Sequence, residues 1–476
     1  MIAPTPVGLE LDENTHILKA TELKAQHSTG EAGFHVDGED TKRLVETDEK
    51  AQGTSNLVWA TSNFINSIIG SGIIGMPYAL KQAGIGLGIV LMVVVAVVTD
   101  YSILLLIRSG QLTDTNTYQG MVQVAFGRGG FYALSIMQFL YPFIVGEDSI
   151  LGNRHFIICV ATLLTTLPLS LYRNIARLGK ISLVALVFVA FIVVVVLVKT
   201  ATIGPHIPVT EGAWNFANKN VTQAIGIMSF AFMCHHNSFL IYDSLEQPTL
   251  RRWNQTTHIS VLVSFLTTVV FALAGYITFT GHTQGDVLEN YCRRDDLMNA
   301  ARVLFAITIM FTYPIECFVT REVLENAIFV HRGPETIGRH IFTTIAIVVA
   351  TVLASMATDC LGIVLELNGV LAAAPLAFIL PAVCYIKVQE GSILSRDKFP
   401  AFLCALFGLI VAVAGLVLVI YNVAMGEACS HGKEPAYCYL VDHANAILPP
   451  GLHFNSTDIY EAGFQAAEAV SAAGEM

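Results

Sequence analysis

The chain has 476 residues, of which 54% are hydrophobic and only 13% are charged, and its formal net charge is −11. Because soluble globular proteins carry about 25% charged residues, this composition excludes an ordinary soluble domain and indicates a polytopic membrane protein in a lipid bilayer. The acidic excess lies at the two ends, with eleven acids against five bases in residues 1–55 and seven against one in residues 426–476. A nearly neutral membrane domain at 56–425 separates them, and nothing here suggests a nucleic-acid partner.

The N-terminal segment, residues 1–55, is hydrophilic throughout. It lacks the apolar core of a cleaved signal peptide. Its apolar surface is too small to offset the entropy lost on folding. We therefore predict a disordered, acidic N-tail in the cytosol.

Eleven apolar segments follow the N-tail. Each is close to the roughly 20 residues that a helix needs to cross a bilayer. They are too long and too uniformly apolar for barrel strands, so each is predicted to be a membrane-spanning helix. The predicted spans are residues 56–80, 85–107, 129–146, 155–171, 181–199, 222–242, 257–280, 300–319, 340–357, 361–385 and 401–421.

The basic residues fix the predicted orientation. With the N-terminus in the cytosol, eighteen Lys and Arg residues lie on the cytosolic side and eight on the other, as the positive-inside rule requires. Residues 426–476 then form an exoplasmic C-tail. Its two cysteines could form a Cys429–Cys438 disulfide in such a compartment. Glycosylation is predicted at Asn455 in the tail and at Asn220 in an outer loop. The protein itself is predicted to reside in the plasma membrane or an endolysosomal membrane.

The first span contains three glycines and a proline, in NSIIGSGIIGMPYAL at residues 66–80. The letters GSGIIG match the dinucleotide-binding fingerprint, but that motif needs a preceding strand and a following soluble helix. Here apolar spans lie on both sides, so we reject the nucleotide interpretation. The glycines and Pro77 instead favour a discontinuous transmembrane helix, although a simple kink or close helix packing is the alternative.

The sixth span carries a second interruption, the polar cluster from Cys234 to Ser238 in SFAFMCHHNSFLIY. Transporters built from inverted repeats break corresponding helices of their two halves. In a repeat of five plus five helices, the first and sixth spans correspond. The paired position favours two discontinuous helices whose free backbone groups bind a solute and a cation.

With these residues, the chain resembles the amino acid/auxin permease superfamily and, within it, solute carrier family 38, the sodium-coupled neutral amino acid transporters. The resemblance implies an all-α LeuT-type fold, with a 5+5 inverted repeat, discontinuous helices one and six, and an eleventh helix. The segments that carry it are GSGIIGMPYAL (70–80), LPLSLYRNIARLGKISL (167–183), SFAFMCHHNSFLIYDSLEQPT (229–249), GYITFTG (275–281), TYPIECFVTRE (312–322) and DCLGIVLELNGVLAAAPLAFILPA (359–382).

The chain departs from the family in its third helix. Roughly two dozen residues are missing after Ile144, which leaves the charge-free run Gly129–Gly146 short for a span. We still predict that this segment crosses, because otherwise every later loop would reverse and the charge bias would fail. Transport by the shortened chain is nevertheless in doubt.

The resemblance implies a sodium ion between helices one and eight, bound by Asn66 and Thr312, with Thr308 as a weaker candidate. Alternatively, Asn66 caps a half-helix and Thr312 bonds a carbonyl one turn back. Substrate contacts are expected at the two breaks. The candidates there are Ile69, Gly70, Ser71, Gly72, His235 and Asn237.

Histidines and carboxylates near the breaks are further candidates. His235 and His236 are either buried neutral histidines or groups that contact the substrate or carry a proton. Carboxylates inside a membrane are suspected of function, although each can instead pair with an arginine at the interface. The gating and coupling candidates are Glu316, Glu366, Asp243 and Glu246, and Asp100 is a further intramembrane acid.

These features together predict a secondary active transporter for a neutral amino acid, driven by sodium and working by alternating access. The alternatives are a proton-coupled permease of vesicles or lysosomes, and a non-transporting sensor. No nucleophile or acid–base constellation points to an enzyme. No C-x-x-C pair occurs, so no resident metal or other cofactor is predicted, and sodium would be a co-transported ion.

Overall fold

The computed structural model describes residues 56–139, 162–171, 179–328, 336–355, 361–393 and 395–424, together with Cys438. The predicted N-tail, almost all of the predicted C-tail and Asn455 lie outside these residues. The regular elements in the described ranges are helices. This agrees with the predicted all-α class.

The described ranges contain fourteen α-helices, numbered here in chain order. They are α1 Leu57–Ile69, α2 Met76–Ala83, α3 Ile85–Leu112, α4 Tyr118–Phe139, α5 Leu167–Ser170, α6 Gly179–Thr202, α7 Val221–Ala231, α8 His235–Ser244, α9 Leu250–Phe279, α10 Asp296–Ile328, α11 Ile337–Ser355, α12 Leu361–Asn368, α13 Leu380–Val388 and α14 Phe399–Ala424. Four 3₁₀ segments (Ser71–Gly75, Gly204–His206, Thr280–His282, Val287–Asn290) and two π-helical segments (Thr162–Thr166, Gly369–Ile379) join them.

Local sequence accounts for where two of the apolar helices, α1 and α9, begin. The Asn56 side chain accepts a hydrogen bond from the Trp59 amide at 3.0 Å and caps α1. Thr249 caps α9 in the same way, through the Arg252 amide at 3.3 Å. Both are short polar side chains that satisfy an amide which the helix itself leaves unpaired.

The described residues contain seven helices long and apolar enough to cross a membrane, or eight if the bent pair around Gly70 is one span. They coincide with eight of the eleven predicted spans, and Ile337–Leu353 is a shorter apolar helix at the ninth. The predicted third and fourth spans fall partly on residues 140–161, outside the described ranges. The chain is therefore a multi-span membrane protein, and the total of eleven stays a prediction.

Small residues bring several helices into direct backbone contact. A Cβ atom at Gly369 would lie 1.9 Å from the Gly226 carbonyl oxygen, and one at Gly285 would lie 2.5 Å from the Gly362 amide nitrogen. Such close approach is common where helices pack in membranes. It joins α7 to the π-helical segment Gly369–Ile379, and the loop after α9 to α12.

The predicted tenth span is not a uniform α-helix. Its centre, Gly369–Ile379, is π-helical and contains Pro375. Proline removes an amide donor from the helix ladder, and the Leu380 amide donates to the Pro375 carbonyl five residues earlier. The sequence analysis did not anticipate this widened segment.

Cys438 is bonded to Cys292, 146 residues earlier in the chain. The Cys429–Cys438 pairing considered from the sequence is therefore wrong. Sequence proximity favoured a partner within the tail, whereas the fold brings Cys438 to Cys292 in the loop between α9 and α10. That loop was predicted on the same outer side as the tail.

Candidate functional site

The first break begins where α1 ends at Ile69. The Gly70 amide still donates to the Asn66 carbonyl at 3.2 Å, but the Gly70 backbone leaves the helical region, with φ 0° and ψ −139°. A 3₁₀ turn, Ser71–Gly75, follows, and the helical axes on either side differ by 42°. Glycine tolerates this conformation because it has no Cβ atom.

The second break separates α7 from α8 at residues 232–234. The Phe232 amide closes α7 by donating to the Met228 carbonyl at 3.1 Å. Helix α8 then restarts at His235, where Cys234 occupies the capping position without a side-chain hydrogen bond. Both predicted interruptions are thus present, in the spans where the sequence placed them.

The two breaks touch at Gly72. A Cβ atom placed on Gly72 would lie 2.4 Å from the Cα atom of Ala231 and 2.7 Å from its Cβ atom. Real Cβ atoms do not approach backbone so closely, so only glycine fits here. The unwound turn of the first span therefore rests against the last residue of α7.

A polar network connects α1, α8 and α10 beside the breaks. The Asn237 amide nitrogen donates to Ser67 Oγ at 2.7 Å and to Glu316 Oε1 at 3.0 Å. The other carboxylate oxygen of Glu316 lies 2.6 Å from His236 Nε2. Two predicted candidates, Asn237 and Glu316, therefore meet, and Ser67 joins them.

His235 points to a different partner. Its Nε2 atom lies 2.6 Å from Ser102 Oγ on α3, and Ser102 also donates to the Thr99 carbonyl at 3.0 Å. The histidine is fully buried. This arrangement matches the structural alternative, a buried histidine bonded to a neighbouring helix.

The predicted sodium ligands are not joined to one another. Thr312 Oγ1 donates to the Thr308 and Ile309 carbonyls at 3.2 and 3.1 Å, and Thr308 Oγ1 donates to the Leu304 carbonyl at 2.9 Å. Asn66 is buried on α1. Within the described helices, no hydrogen bond connects Asn66 to either threonine. The threonine hydroxyls thus show the alternative geometry, in which they bond carbonyls one turn back.

A metal site built from His, Cys, Asp or Glu side chains would be distinct from oxygen ligation by Asn66 and the two threonines. The described part of the chain contains no group of three or more His, Cys, Asp or Glu side chains that could hold a metal ion. A hydroxyl oxygen that donates one hydrogen bond keeps lone pairs for a cation. Asn66, Thr308 and Thr312 therefore remain sodium candidates through oxygen alone.

The remaining candidate carboxylates lie apart from this network. Glu366 is buried on α12, with its Cγ atom beside Gly226 of α7. Asp243 and Glu246 are exposed after the second break, and the Glu246 carbonyl accepts a hydrogen bond from Arg252. Asp100 pairs with His258 of α9, at 2.8 and 2.9 Å.

Among the other candidates, Ile69 is buried and the Ser71 side chain lies outside the described part. Asn220 is placed directly before α7, and its side-chain nitrogen donates to Gln82 at 2.8 Å. That nitrogen is the atom to which a glycan would be attached. The predicted modification would therefore have to break this contact.

Sequence reasoning missed Ser67 and Ala231. Ser67 follows the chosen candidate Asn66, and a second polar side chain in the last turn of an apolar helix was a usable signal. Ala231 gave none, because its importance comes from the approach of another segment. Gly72 itself was identified as a candidate, with close helix packing as one alternative, and its contact with Ala231 agrees with that alternative.

Two broken membrane helices in contact, with a polar network beside them, define a membrane transporter. The sequence profile of the family described as "Transmembrane amino acid transporter protein" matches residues 53–148 and 140–421. The match covers most of the chain, so the chain belongs to this family. It is an amino acid transporter of that family and not an enzyme.

Several known proteins are similar in sequence to this chain over most of their length. The chain is 48% identical to "Putative sodium-coupled neutral amino acid transporter 11" of Rattus norvegicus, over 85% of this chain and 93% of the relative. The protein of the same name from Danio rerio is 45% identical over 84% and 93%. "Vacuolar amino acid transporter 2" of Saccharomyces cerevisiae is 28% identical over 82% and 87%.

A solved transporter structure aligns with most of the chain. The chain aligns with the manganese transporter of Eremococcus coleocola at 12% identity and a TM-score of 0.48. The alignment covers 87% of this chain and 96% of that one.

Proposed function

We propose that the chain moves neutral amino acids across a membrane by sodium-coupled secondary active transport. The substrate binds between the two helix breaks, and alternating access occurs around this site in a LeuT-type 5+5 inverted repeat. Two of the relatives are named as sodium-coupled neutral amino acid transporters. Family membership supports the solute class, and the names support the coupling ion.

The contact between Gly72 and Ala231 is the observation that carries the proposal. It brings the unwound turn of the first span against the end of α7, directly before the break of the sixth span. The backbone amides of Ser71 and Gly72, at the start of the 3₁₀ turn, can receive a carboxylate, and carbonyls at the end of a half-helix can receive a cation. A zwitterionic amino acid offers both charges, which is why an amino acid fits this arrangement.

The experiment is radiolabelled uptake into proteoliposomes that contain the purified chain. Leucine, glutamine and alanine are each measured with an inward sodium gradient and with choline in place of sodium, at two pH values. We expect sodium-dependent accumulation that is abolished in Thr312→Val. If none of the three accumulates under any gradient, the transport proposal fails.

Proton coupling is the second candidate, and one contact favours it. His236 Nε2 lies 2.6 Å from Glu316 Oε2, so a pair able to hold a proton is placed beside both breaks. The yeast relative is named as a vacuolar amino acid transporter, which fits a permease of an internal membrane. Accumulation driven by a pH gradient in choline medium would select this candidate over sodium.

A sensor without transport is the third candidate, and it depends on the shortened third span. The two family matches overlap at residues 140–148, beside the position where about two dozen residues are missing relative to the family. We therefore include a variant in which a third helix of family length replaces residues 129–146. If only the completed variant transports while both chains bind leucine, the natural chain is a sensor.

A further inference from the structure

Asn237 and Glu316 place hydrogen-bond acceptors beside both helix breaks. The Asn237 amide nitrogen is fully used, since it donates to Ser67 and to Glu316. The Asn237 side-chain oxygen, in contrast, has no hydrogen-bond partner. It is also shielded from solvent, since the residue is only 1% exposed. A buried acceptor without a donor is costly. Its position next to a carboxylate suits a donor that carries positive charge.

The Glu316 side chain is less enclosed than its partner His236. It is 47% exposed, whereas that of His236 is 12% exposed. A carboxylate facing hydrocarbon would be strongly unfavourable, so its exposure is best explained by a space that admits water or a solute. His236 and Asn237 each hold one of its oxygens, which fixes the orientation of the carboxylate.

The network also positions this carboxylate relative to the breaks. Ser67 lies three residues before Gly70, and Asn237 lies three residues after Cys234. One side-chain amide therefore joins the carboxylate to the residues that flank each interruption. A solute held by the backbone of the first break, at Ser71 and Gly72, would have this acceptor within the same region.

We propose that the Glu316 carboxylate and the Asn237 oxygen bind the primary ammonium group of the transported amino acid. The inference rests on the proposed function and names the group that recognises one end of the substrate. The ammonium group is either the α-ammonium of a neutral amino acid or the side-chain ammonium of a basic one. Both present the same three hydrogen-bond donors.

The test measures binding to the purified full chain in lipid nanodiscs. The probes are L-leucine, L-lysine and 4-methylpentanoate, which is leucine without its amino group. Because hydrogen bonds to charged groups are worth about 1.5–3 kcal/mol, Glu316→Gln should raise the Kd of leucine about 10- to 100-fold. The Kd of 4-methylpentanoate should change by less than about twofold, since this probe has no ammonium group to lose.

Two further variants keep the test interpretable. Glu316→Asp retains the charge one methylene short and should give an intermediate loss for leucine, which covers the case in which Glu316→Gln folds poorly. Glu325→Gln removes another carboxylate from α10, one that pairs with Arg339 at 2.8 Å. That matched control should leave the Kd of all three probes unchanged.

The outcomes separate cleanly. A weakened leucine affinity supports the α-ammonium as the bound group, and a loss confined to lysine supports the side-chain ammonium. Unchanged leucine and lysine affinities overturn the inference, and so does an equal loss for 4-methylpentanoate, which would indicate general damage to the site. If the wild-type chain binds neither amino acid, the proposed function fails as well.

Discussion

Gly72 lies directly against the backbone of Ala231, with room for a hydrogen atom and not for a methyl group. The contact joins the unwound turn of the first span to the end of α7. Glycine is therefore required at position 72 because no side chain fits there, and not only because of its conformational freedom. The neighbouring Gly70, in contrast, has no atom within 3.4 Å of its built Cβ position.

Gly72→Ala should abolish transport while leaving membrane insertion intact. The added methyl group would overlap the Ala231 backbone, and overpacking of this kind costs about 1–3 kcal/mol. Because the clash lies at the break, its effect should fall on the bound geometry. Uptake of leucine and surface labelling of the same cells would measure the two quantities, and Gly72→Leu should be at least as severe.

Gly338→Ala is the matched control for that substitution. Gly338 also lies in a helix, α11, but a Cβ atom there meets nothing within 4 Å. Replacing glycine by alanine in an open helical position should be neutral or slightly stabilising. Equal uptake by Gly72→Ala and Gly338→Ala would contradict the contact at Ala231.

Asp286 gives a pH dependence outside the membrane-spanning segments. It lies in the loop between α9 and α10, where its Oδ1 atom accepts the Leu288 amide at 2.8 Å. Burial raises the pKa of the Asp286 carboxyl to about 7, with nearby Glu289 adding to the rise and Arg302 opposing it. In the unfolded chain, the pKa of an aspartate is about 3.9.

The sign of the effect follows from these two values. Between about pH 4 and pH 7 the folded loop holds a proton that the unfolded chain has released, so stability falls as the pH rises through this window. Asp286→Asn removes the titration and keeps an oxygen for the Leu288 amide. Its melting temperature relative to wild type should rise by about 1–3 °C between pH 5 and pH 8.

Asp296→Asn serves as the control for this pH effect. Asp296 is exposed in the first turn of α10. Its melting temperature relative to wild type should be nearly the same at both pH values. A pH-independent difference for Asp286→Asn would show that its carboxyl titrates as in an unfolded chain.

The Cys292–Cys438 disulfide should contribute to stability. It closes a loop of 146 residues, and loss of a native disulfide commonly costs about 2–5 kcal/mol in small domains. Cys438→Ser should lower the melting temperature of the purified protein by several degrees. A reducing agent should lower the wild-type value to that of the variant and leave the variant itself unchanged.

That second measurement separates the disulfide from the substitution. A melting temperature that falls equally in wild type and variant under reduction would assign the effect elsewhere. Cys404→Ser provides a further comparison, because Cys404 is a buried free thiol in α14. It should remain as sensitive to reduction as the wild type.

Glycosylation should occur at Asn455 and not at Asn220. The Asn220 amide nitrogen is engaged by Gln82, and the hydroxyl of Thr222, the third sequon residue, is buried. Asn455→Gln should remove the shift in gel mobility caused by a glycosidase, whereas Asn220→Gln should leave it. A shift that survives Asn455→Gln and is lost in Asn220→Gln would contradict this assignment.

The sequence predicted helices and breaks well because both depend on local chemistry. Long apolar runs must be helical in lipid, and the glycines of the first span and the polar cluster after Cys234 mark interruptions directly. Eight predicted spans coincide with helices in the described ranges. The π-helical segment around Pro375 was missed, because an apolar run with one proline does not distinguish a kink from a widened helix.

Long-range partners could not be predicted from one sequence. Cys438 joins Cys292 rather than the nearby Cys429, and nothing local signals that choice. In the candidate site, Asn237 and Glu316 were selected separately as polar groups in apolar spans, but their hydrogen bond requires α8 and α10 to be adjacent. Such contacts are properties of the packing, not of either segment.

The glycine contacts on α7 have a mechanical consequence. Gly226 touches Gly369 on one side, and Ala231 touches Gly72 at the end. Neither contact includes a side chain that could change rotamer and absorb a displacement. A shift of α7 along its axis would therefore be transmitted undiminished to the unwound turn and to the π-helical segment. Helix α7, the unwound turn and the π-helical segment would therefore move together as one rigid body, and any hinge would lie outside these three elements.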